Sequence, residues 1–344
     1  MPKTVFLGMS GGVDSSVSAL LLKNQGYKVV GVYMKNWSKD LPGMKCPWAE
    51  DLADAKRVAV KLDLDFKVFD FEDAYKKKVV DYMLAEFKAG RTPNPDILCN
   101  EEIKFKLFFE ECLKQGADYI ATGHYAKSEN GKLMLAKDTN KDQTYFLYRI
   151  SKEAVEKTLF PLADLLKPEV KQIARDAGLA NADKKESMGV CFVGDVGMKD
   201  FLREYIDLKP GEIREKETEK VLGFHDGAVF YTVGQRHGLY VGGGLPYYVV
   251  EKNLEKNIVY VSKNLNAENL WTRELKLENL FFRDKNDLPK DGKVLVRLRH
   301  RAPLIPATFS NDKLIFDEEI KTVASGQSAV IYKDNVCLGG GIVA

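Results

Sequence analysis

A chain of 344 residues carries 52 basic and 50 acidic side chains, a formal charge of +2, so it projects no strong overall field. Hydrophobic residues at 45% and charged residues at 30% are ordinary globular proportions and exclude a disordered or fibrous chain. At about 150 residues per domain the length suits two or three domains, and no apolar run approaches the roughly 18 residues that a membrane span needs. Met1-Pro2-Lys3 leads straight into a strand-like run without a signal-peptide core, so the expected location is cytoplasmic.

In chain order, Val5–Met9 reads as a buried strand, and Val13, Val17, Leu20 and Leu21 recur at helical spacing until Gly26 supplies a stop. Lys28–Met34 is the next strand, Glu50–Leu62 a helix and Phe66–Phe69 a strand. Ala74–Ala89 and Glu101–Gln115 read as helices, and Tyr119–Thr122 as a strand. Between those two helices, Thr92-Pro93-Asn94-Pro95-Asp96 holds two prolines that forbid helix and pin an exposed loop. Ser151–Arg203 is helical but interrupted by Pro161, Pro168 and glycines. This alternation marks an α/β unit with a parallel sheet. After about Leu208 the composition turns to β-branched residues and glycine-rich turns. Pro210–Ile213, Tyr231–Gly234 and Leu245–Val250 read as small antiparallel strands, and a second β stretch runs from Glu274 through Val294–Arg299 to the end. Two small β modules behind an α/β domain are expected.

Five cysteines (Cys46, Cys99, Cys112, Cys191, Cys337) are too few and scattered for a disulfide scaffold. No C-x2-C pair occurs, and His124, His225, His237 and His300 do not fall at zinc-ligand spacing. The cysteines are therefore either buried small side chains or reactive thiols. Cys112, beside Phe108 and Phe109, and Cys337, in a terminal β run, read as core. Cys46, before Pro47, stays ambiguous.

The loop Ser10-Gly11-Gly12-Val13-Asp14-Ser15-Ser16 joins the first strand to the first helix. Two glycines let backbone approach an anion, the helix N-terminus offers free N–H groups, and three serine hydroxyls add donors. A tight turn with an Asp14 or Ser15 cap is the plainer alternative. The loop is no Walker motif, because no lysine follows the glycines. S-G-G-V-D-S resembles the pyrophosphatase loop of enzymes that split ATP into AMP and pyrophosphate. Further motifs are Gly90-Arg91-Thr92-Pro93-Asn94-Pro95-Asp96 with Cys99-Asn100 and Lys104-Phe105, and Lys185-Glu186-Ser187-Met188-Gly189-Val190-Cys191-Phe192. With Gly123-His124-Tyr125 and Lys141-Asp142-Gln143-Thr144-Tyr145, they resemble the tRNA 2-thiouridylase family over essentially the whole chain.

That resemblance implies an adenine nucleotide α-hydrolase-like catalytic domain with a helical tRNA-binding extension over 1–206. A central β domain would span 207–272 and a barrel-like β domain 273–344. It implies ATP-dependent replacement of the 2-oxygen of the wobble uridine by sulfur, in tRNAs for Lys, Glu and Gln. Cys99 would be the nucleophile and Cys191 the persulfide carrier, ending as a Cys99–Cys191 disulfide that a reductant reopens. Gly8, Met9, Ser10, Gly11, Gly12, Val13, Asp14, Ser15, Met34 and Gly123 match ATP-site positions, with Asp14 a candidate Mg²⁺ ligand. Asn94, Pro95 and Asp96 match contacts to the target base, with Asp96 a candidate proton shuttle. His124, Lys141, Asp142, Gln143, His300, Arg301 and Gln327 match tRNA contacts.

From the residues themselves, Cys99 is expected at a helix start, where the dipole lowers a thiol pKa, and Cys191 near Lys184 and Lys185. Arg297, Arg299 and Arg301 alternate as on one strand face, suited to phosphate or simply to a charged edge. Lys167, Lys171 and Arg175 recur at helical spacing, equally fit for RNA or for solvent. The resemblance also brings in an iron–sulfur cluster, which some members use with a third ligand near the nucleophile. Position 102 is glutamate, so no third cysteine stands close to Cys99 in sequence, and the persulfide route is favoured, with carboxylate ligation of a cluster left open. Expected partners are tRNA and a sulfur-relay protein or cysteine desulfurase, with no membrane and a monomeric state. The competing functions are another pyrophosphatase-loop ligase, which would not need paired cysteines, and a non-catalytic RNA-binding protein.

Overall fold

Thr4–Gly8 (β1) is buried at four of its five residues, as a strand covered on both faces must be. Its side chains alternate between two cores. Val5 and Leu7 pack with Val17, Leu22 and Val58 on one face, while Phe6 packs with Val32, Phe108 and Ile120 on the other. The computed structural model describes residues 1–40, 46–185, 198–207, 209–242, 245–264 and 270–344.

Around β1 stand Lys28–Lys35 (β2), Asp65–Asp70 (β3) and Tyr119–Ala121 (β4). A short hairpin follows, Lys127–Glu129 (β5) and Lys132–Met134 (β6), then Thr158–Leu159 (β7). The first sheet has the order β3-β2-β1-β4-β7, all parallel. Winding reverses between β1 and β4, and at such a switch point the crevice beyond the strands' carboxyl ends takes the ligand. Val13–Asn24 (α1) and Trp48–Lys61 (α2) cover one face. α1 stops where Gly26 takes φ +86, the left-handed conformation that glycine adopts without a Cβ penalty. The helix Lys167–Asp176 packs on the same core through Val170 and Ala174. Pro168 opens that helix near its first position instead of interrupting it, because an N-terminal turn has no N–H to lose there.

The middle unit is a four-stranded sheet of Gly211–Glu215 (β8), Val221–His225 (β9), Tyr248–Asn253 (β10) and Ile258–Ser262 (β11). Its order is β10-β11-β8-β9, with β11 and β8 parallel. The expected strand at Tyr231–Gly234 is instead a loop after a single 3₁₀ turn, Ala228–Phe230. Gly234, at φ +84, docks on β10 by donating its N–H to Val249 O at 2.8 Å, and this overrides the β propensity of Thr232-Val233.

The last unit contains Trp271–Phe282 (β12), Lys293–Arg297 (β13), Ile305–Ser310 (β14), Lys313–Lys321 (β15), Ser328–Lys333 (β16) and Val336–Val343 (β17). β12 pairs with both β15 and β17, closing a six-stranded antiparallel barrel. The β5–β6 hairpin of the first unit joins this barrel, with Met134 opposite Val336 and Leu133 opposite Cys337. Arg283 ties the seam further by donating to the carbonyls of Tyr148, Ile150 and Cys337 at 3.1, 3.2 and 2.7 Å. The expected arginine face does not form. β13 ends at Arg297, whose buried side chain turns inward to Asp142, and Arg301 sits at φ +63 in the turn beyond. Among the described residues no helix is long and apolar enough to cross a membrane.

Candidate active site

The segment from Ser10 to Ser16 forms a closed turn over the carboxyl end of β1. Ser15 Oγ donates to Gly12 O at 3.0 Å and accepts from Ser10 N at 3.2 Å, and Ser16 Oγ donates to Gly12 O at 3.0 Å. Gly11 has φ +76, and a β-carbon there would run into the Asp51 carbonyl of α2. Only glycine fits, so the backbone is pressed flat with the N-terminus of α1 facing the crevice. Gly123, just past β4, closes the other side: a β-carbon on it would lie 2.8 Å from Ser15 N. Gly8 is likewise filled by Met34, whose Cε would be 2.9 Å from such an atom. Gly8, Met34 and Gly123, distant in sequence, thus converge with Gly11, Gly12, Val13, Asp14 and Ser15. Met9 is buried, with its sulfur against Gly31.

Asp14 does not stand open for a metal. Both its oxygens accept from the ammonium of Lys167, at 2.6 and 2.8 Å, and Tyr125 OH donates to Oδ1 at 3.0 Å. An ammonium at that distance repels a divalent cation, and the described residues hold no cluster of three or more metal-ligating side chains. Asp14, expected as a Mg²⁺ ligand, therefore does not fit one in this arrangement. Glu102, the residue standing where a third cysteine would bind a cluster, is taken by Lys78 and by Lys106 at 3.2 Å. Desolvation pushes its carboxyl up, but those two ammonium groups outweigh it and hold the group ionised.

Asn94 caps the next helical stretch: its Oδ1 accepts from Asp96 N at 3.2 Å, and Pro95 occupies the first turn. The helix therefore begins before Cys99, which lies at the onset of a π-helical segment, Cys99–Leu107. Cys99 therefore gains nothing from the helix dipole, since that effect fades within the first turn. π segments are rare and frequent at functional sites. Cys99 is 1% exposed, among Trp37, Cys46, Tyr75, Ile103 and Phe201, so the thiol expected there as the nucleophile is covered in this structure. Cys191 lies outside the described residues, as do Glu186–Phe192. The chain on either side is anchored. Lys184 Nζ reaches Asp51 at 2.8 Å and Asp54 at 2.5 Å, so two carboxylates neutralise the charge expected to serve Cys191. Beyond, Phe201 and Leu202 share the core of Cys99. Cys112 and Cys337 are fully buried, and burial pushes the Cys337 thiol up to about 12.

The turn before Asn94 is clamped by both β units. Thr92 N donates to Ser325 O at 2.8 Å, Gln327 Nε2 donates to Thr92 O at 2.7 Å, and Thr92 Oγ1 is 3.2 Å from Thr232 Oγ1. Gly326, at φ +90, brings the barrel so close that a β-carbon would be 2.9 Å from Thr92 N.

Gln143 brackets Tyr125 through two hydrogen bonds of 2.8 and 2.9 Å. Asp142 is 1% exposed; it accepts from Arg297 at 2.7 Å, Thr144 at 2.6 Å and Ala136 N at 2.9 Å. The carboxylate of Asp142, expected at an RNA contact, joins the loop to the barrel and faces no solvent. Lys141 is half-buried beside it. His124 accepts or shares a proton with Thr122 Oγ1 at 2.8 Å and lies 5.8 Å from the Phe105 ring; burial, with Lys104 adding to it, holds its pKa well down. The His300 ring sits 4.6 Å from that of Phe146. Arg301 is exposed next to it.

Three family models cover the chain. One described as a tRNA methyl transferase HUP domain matches residues 3–195, its PRC-barrel domain 199–263, and an aminomethyltransferase β-barrel domain 272–343. Over 99% of its length the chain is 46% identical to the tRNA-specific 2-thiouridylase MnmA of Idiomarina loihiensis, covering 96% of that protein. The chain belongs to the tRNA-specific 2-thiouridylase family. The Vibrio parahaemolyticus 2-thiouridylase is 47% identical over 99% of this chain and 96% of its own, and that of Alkaliphilus oremlandii 45% over 98% and 96%. Among solved structures, a 4-thiouridine synthetase–RNA complex with bound ATP matches at TM-score 0.36 and 16% identity, over 59% of this chain and 50% of that one. The NMN synthetase of Francisella tularensis matches at TM-score 0.35 and 15% identity, over 54% and 67%.

Two side chains at the phosphate loop of this 2-thiouridylase escaped the sequence reading. Lys167 was visible only as one of three helically spaced cations. Asn181, buried, donates to Gly11 O and Ser16 Oγ, both at 2.8 Å, and carried no signal in the sequence.

Proposed function

We propose that this chain is an ATP-consuming sulfurtransferase that converts the wobble uridine of tRNA to 2-thiouridine. The observation that supports it best is the meeting of the serine-glycine loop with Gly8, Met34 and Gly123 at the β1/β4 switch point. A nucleotide triphosphate laid there would have its phosphates at the N-terminus of α1 and its base toward Met34. Lys167, 9% exposed and held by Asp14, would turn its ammonium to the departing pyrophosphate. Magnesium then belongs to the incoming ATP.

Asn94, Pro95 and Asp96 receive the uracil in this reading. Asp96 takes the N3 proton as O2 attacks the α-phosphorus; the bond from that phosphorus to the bridging oxygen breaks and pyrophosphate leaves. The terminal sulfur of a Cys191 persulfide adds to C2, and the C2–O bond breaks to release AMP. The Cys99 thiolate attacks the inner sulfur, and cleavage of the S–S bond leaves sulfur on C2 and a Cys99–Cys191 disulfide. A two-electron thiol reductant restores both thiols, and a cysteine desulfurase or relay protein reloads Cys191. Because Cys99 is covered in this structure, entry of the base has to displace part of the cluster around it.

The test is nucleoside mass spectrometry of tRNA from cells lacking the protein, with purified enzyme, ATP, tRNA and a cysteine desulfurase supplied with cysteine as the second arm. Loss of 2-thiouridine in the first and ATP-dependent appearance in the second support the proposal. Unchanged 2-thiouridine in the deletion overturns it.

A further inference from the structure

We propose that the loop 232–240 of the middle β unit is a second contact surface for the RNA substrate, seating an unpaired nucleotide next to the target. This rests on the thiolation reading above. Thr232 touches Thr92 through their hydroxyls, and a β-carbon on Gly90 would lie 2.6 Å from Leu254, so the middle unit abuts the turn that leads into Asn94. RNA with its target base at Asn94–Asp96 has this loop as its neighbour.

The chemistry of the loop suits a polyanion with exposed bases. From Tyr231 to Val250 the chain has Arg236, His237 and four tyrosines, and no aspartate or glutamate. Arg236 and His237 are exposed, and Arg236 makes no ion pair among the described residues. Tyr240 is 96% exposed, and Phe224 on β9 is 72% exposed. A cavity of about 420 Å³ lies between Arg236, His237, Tyr240, Pro246 and Tyr247. Guanidinium for phosphate and an aromatic face for a base is the pairing that single-stranded RNA uses.

The loop is also built to hold its shape. Gln235 Oε1 accepts from Thr232 N at 3.0 Å, Nε2 donates to His237 O at 2.9 Å, and its carbonyl accepts from Val249 N at 2.9 Å. Leu239 is buried as an anchor, which leaves Tyr240 turned outward at φ +51, the left-handed region. A bulky residue there is strained and gains nothing from burial. Folding alone would prefer glycine at this position, and residues held in such backbone conformations cluster at ligand clamps.

The experiment measures Kd for substrate tRNA by fluorescence anisotropy, together with single-turnover thiolation, for the full-length enzyme and its Arg236→Ala, Tyr240→Ala, Tyr240→Phe and Tyr240→Gly variants. Arg236→Ala should weaken binding about fivefold or more and lower the slope of log Kd against log salt by about one. Tyr240→Ala and Tyr240→Gly should weaken binding roughly tenfold, from lost stacking, while Tyr240→Phe binds as the wild type. The rate at saturating tRNA should not change. Tyr240→Gly should melt no lower than the wild type, which separates recognition from folding. Affinities within twofold of wild type for Arg236→Ala and Tyr240→Ala overturn the proposal, and so does Tyr240→Phe binding as weakly as Tyr240→Ala. A wild-type enzyme that binds tRNA but does not thiolate it overturns the function and leaves this surface standing.

Discussion

The ammonium of Lys167 lies 2.6 and 2.8 Å from the two carboxylate oxygens of Asp14, across 153 positions of sequence. The backbone N–H of Lys167 donates to Asp138 at 2.9 Å, so one helix start joins the phosphate loop to the loop that carries Lys141 and Gln143. The pair is half sheltered, with Lys167 nearly buried and Asp14 about a third open. Removing one partner of a well-buried pair costs about 3–5 kcal/mol; the open side of Asp14 reduces this to about 1–2 kcal/mol for Lys167→Met. Its effect on chemistry should be larger. Loss of a cation on the developing pyrophosphate is expected to slow tRNA-dependent pyrophosphate release by about 10²–10³-fold. A rate within threefold of wild type would remove Lys167 from the site.

Gly326 stands at φ +90 with Thr92 where a side chain would go. Gly326→Ala forces either the barrel or the 91–94 turn to shift, with strain of order 1–3 kcal/mol. The turn carries Asn94 and, one helical turn on, Cys99. Single-turnover thiolation should therefore fall several-fold while tRNA affinity stays within about twofold. An unchanged rate would mean that the clamp does not position the base.

Cys99→Ser and Cys191→Ser should each abolish 2-thiouridine formation and leave pyrophosphate release measurable, since sulfur transfer follows adenylation. Cys99 sits in an apolar cluster, so the serine hydroxyl also costs about 1–3 kcal/mol unless it finds a partner. Cys112→Ala and Cys337→Ala should keep full activity per folded molecule. Full activity in both serine variants would favour a ligase with no use for thiols.

The α/β unit was legible because buried parallel strands read as continuous apolar runs, and β1 and β2 do so plainly. The Gly11 turn was legible for a similar reason, as a local demand on φ. The stretch 92–96, expected as an exposed loop without helix, instead has Pro93 and Pro95 buried and starts a helix at Pro95, because a proline loses no hydrogen bond in a first turn. The β5–β6 hairpin was not. Its strands are three residues each, of mixed polarity, and they exist because β17 offers an edge. Arg297 misled because a strand pattern does not say where the strand ends or that Asp142 waits inside. Lys167 was hidden by the same limit, since the spacing of charges on a helix cannot reveal which of them meets a carboxylate from α1.

His300 offers a pH test. Burial pushes its pKa down to about 4, and Arg301, Arg297 and Lys141 push the same way. The ring is neutral, packed on Phe146, with its Nδ1 buried and without a hydrogen-bond partner among the described residues. In the unfolded chain the same histidine titrates near 6.5. Between those values the unfolded state holds the extra proton, so stability declines as pH falls from about 6.5 towards 4 and is unaffected above. From pH 7 to pH 5 this one group should remove about 2 kcal/mol. His300→Gln keeps a polar side chain and loses the titration. The wild type should therefore lose more of its urea midpoint than the variant between pH 7 and pH 5, with other groups cancelling in the comparison. Equal losses would mean that His300 is solvated enough to protonate in the folded protein, and so stands open to RNA before any RNA arrives.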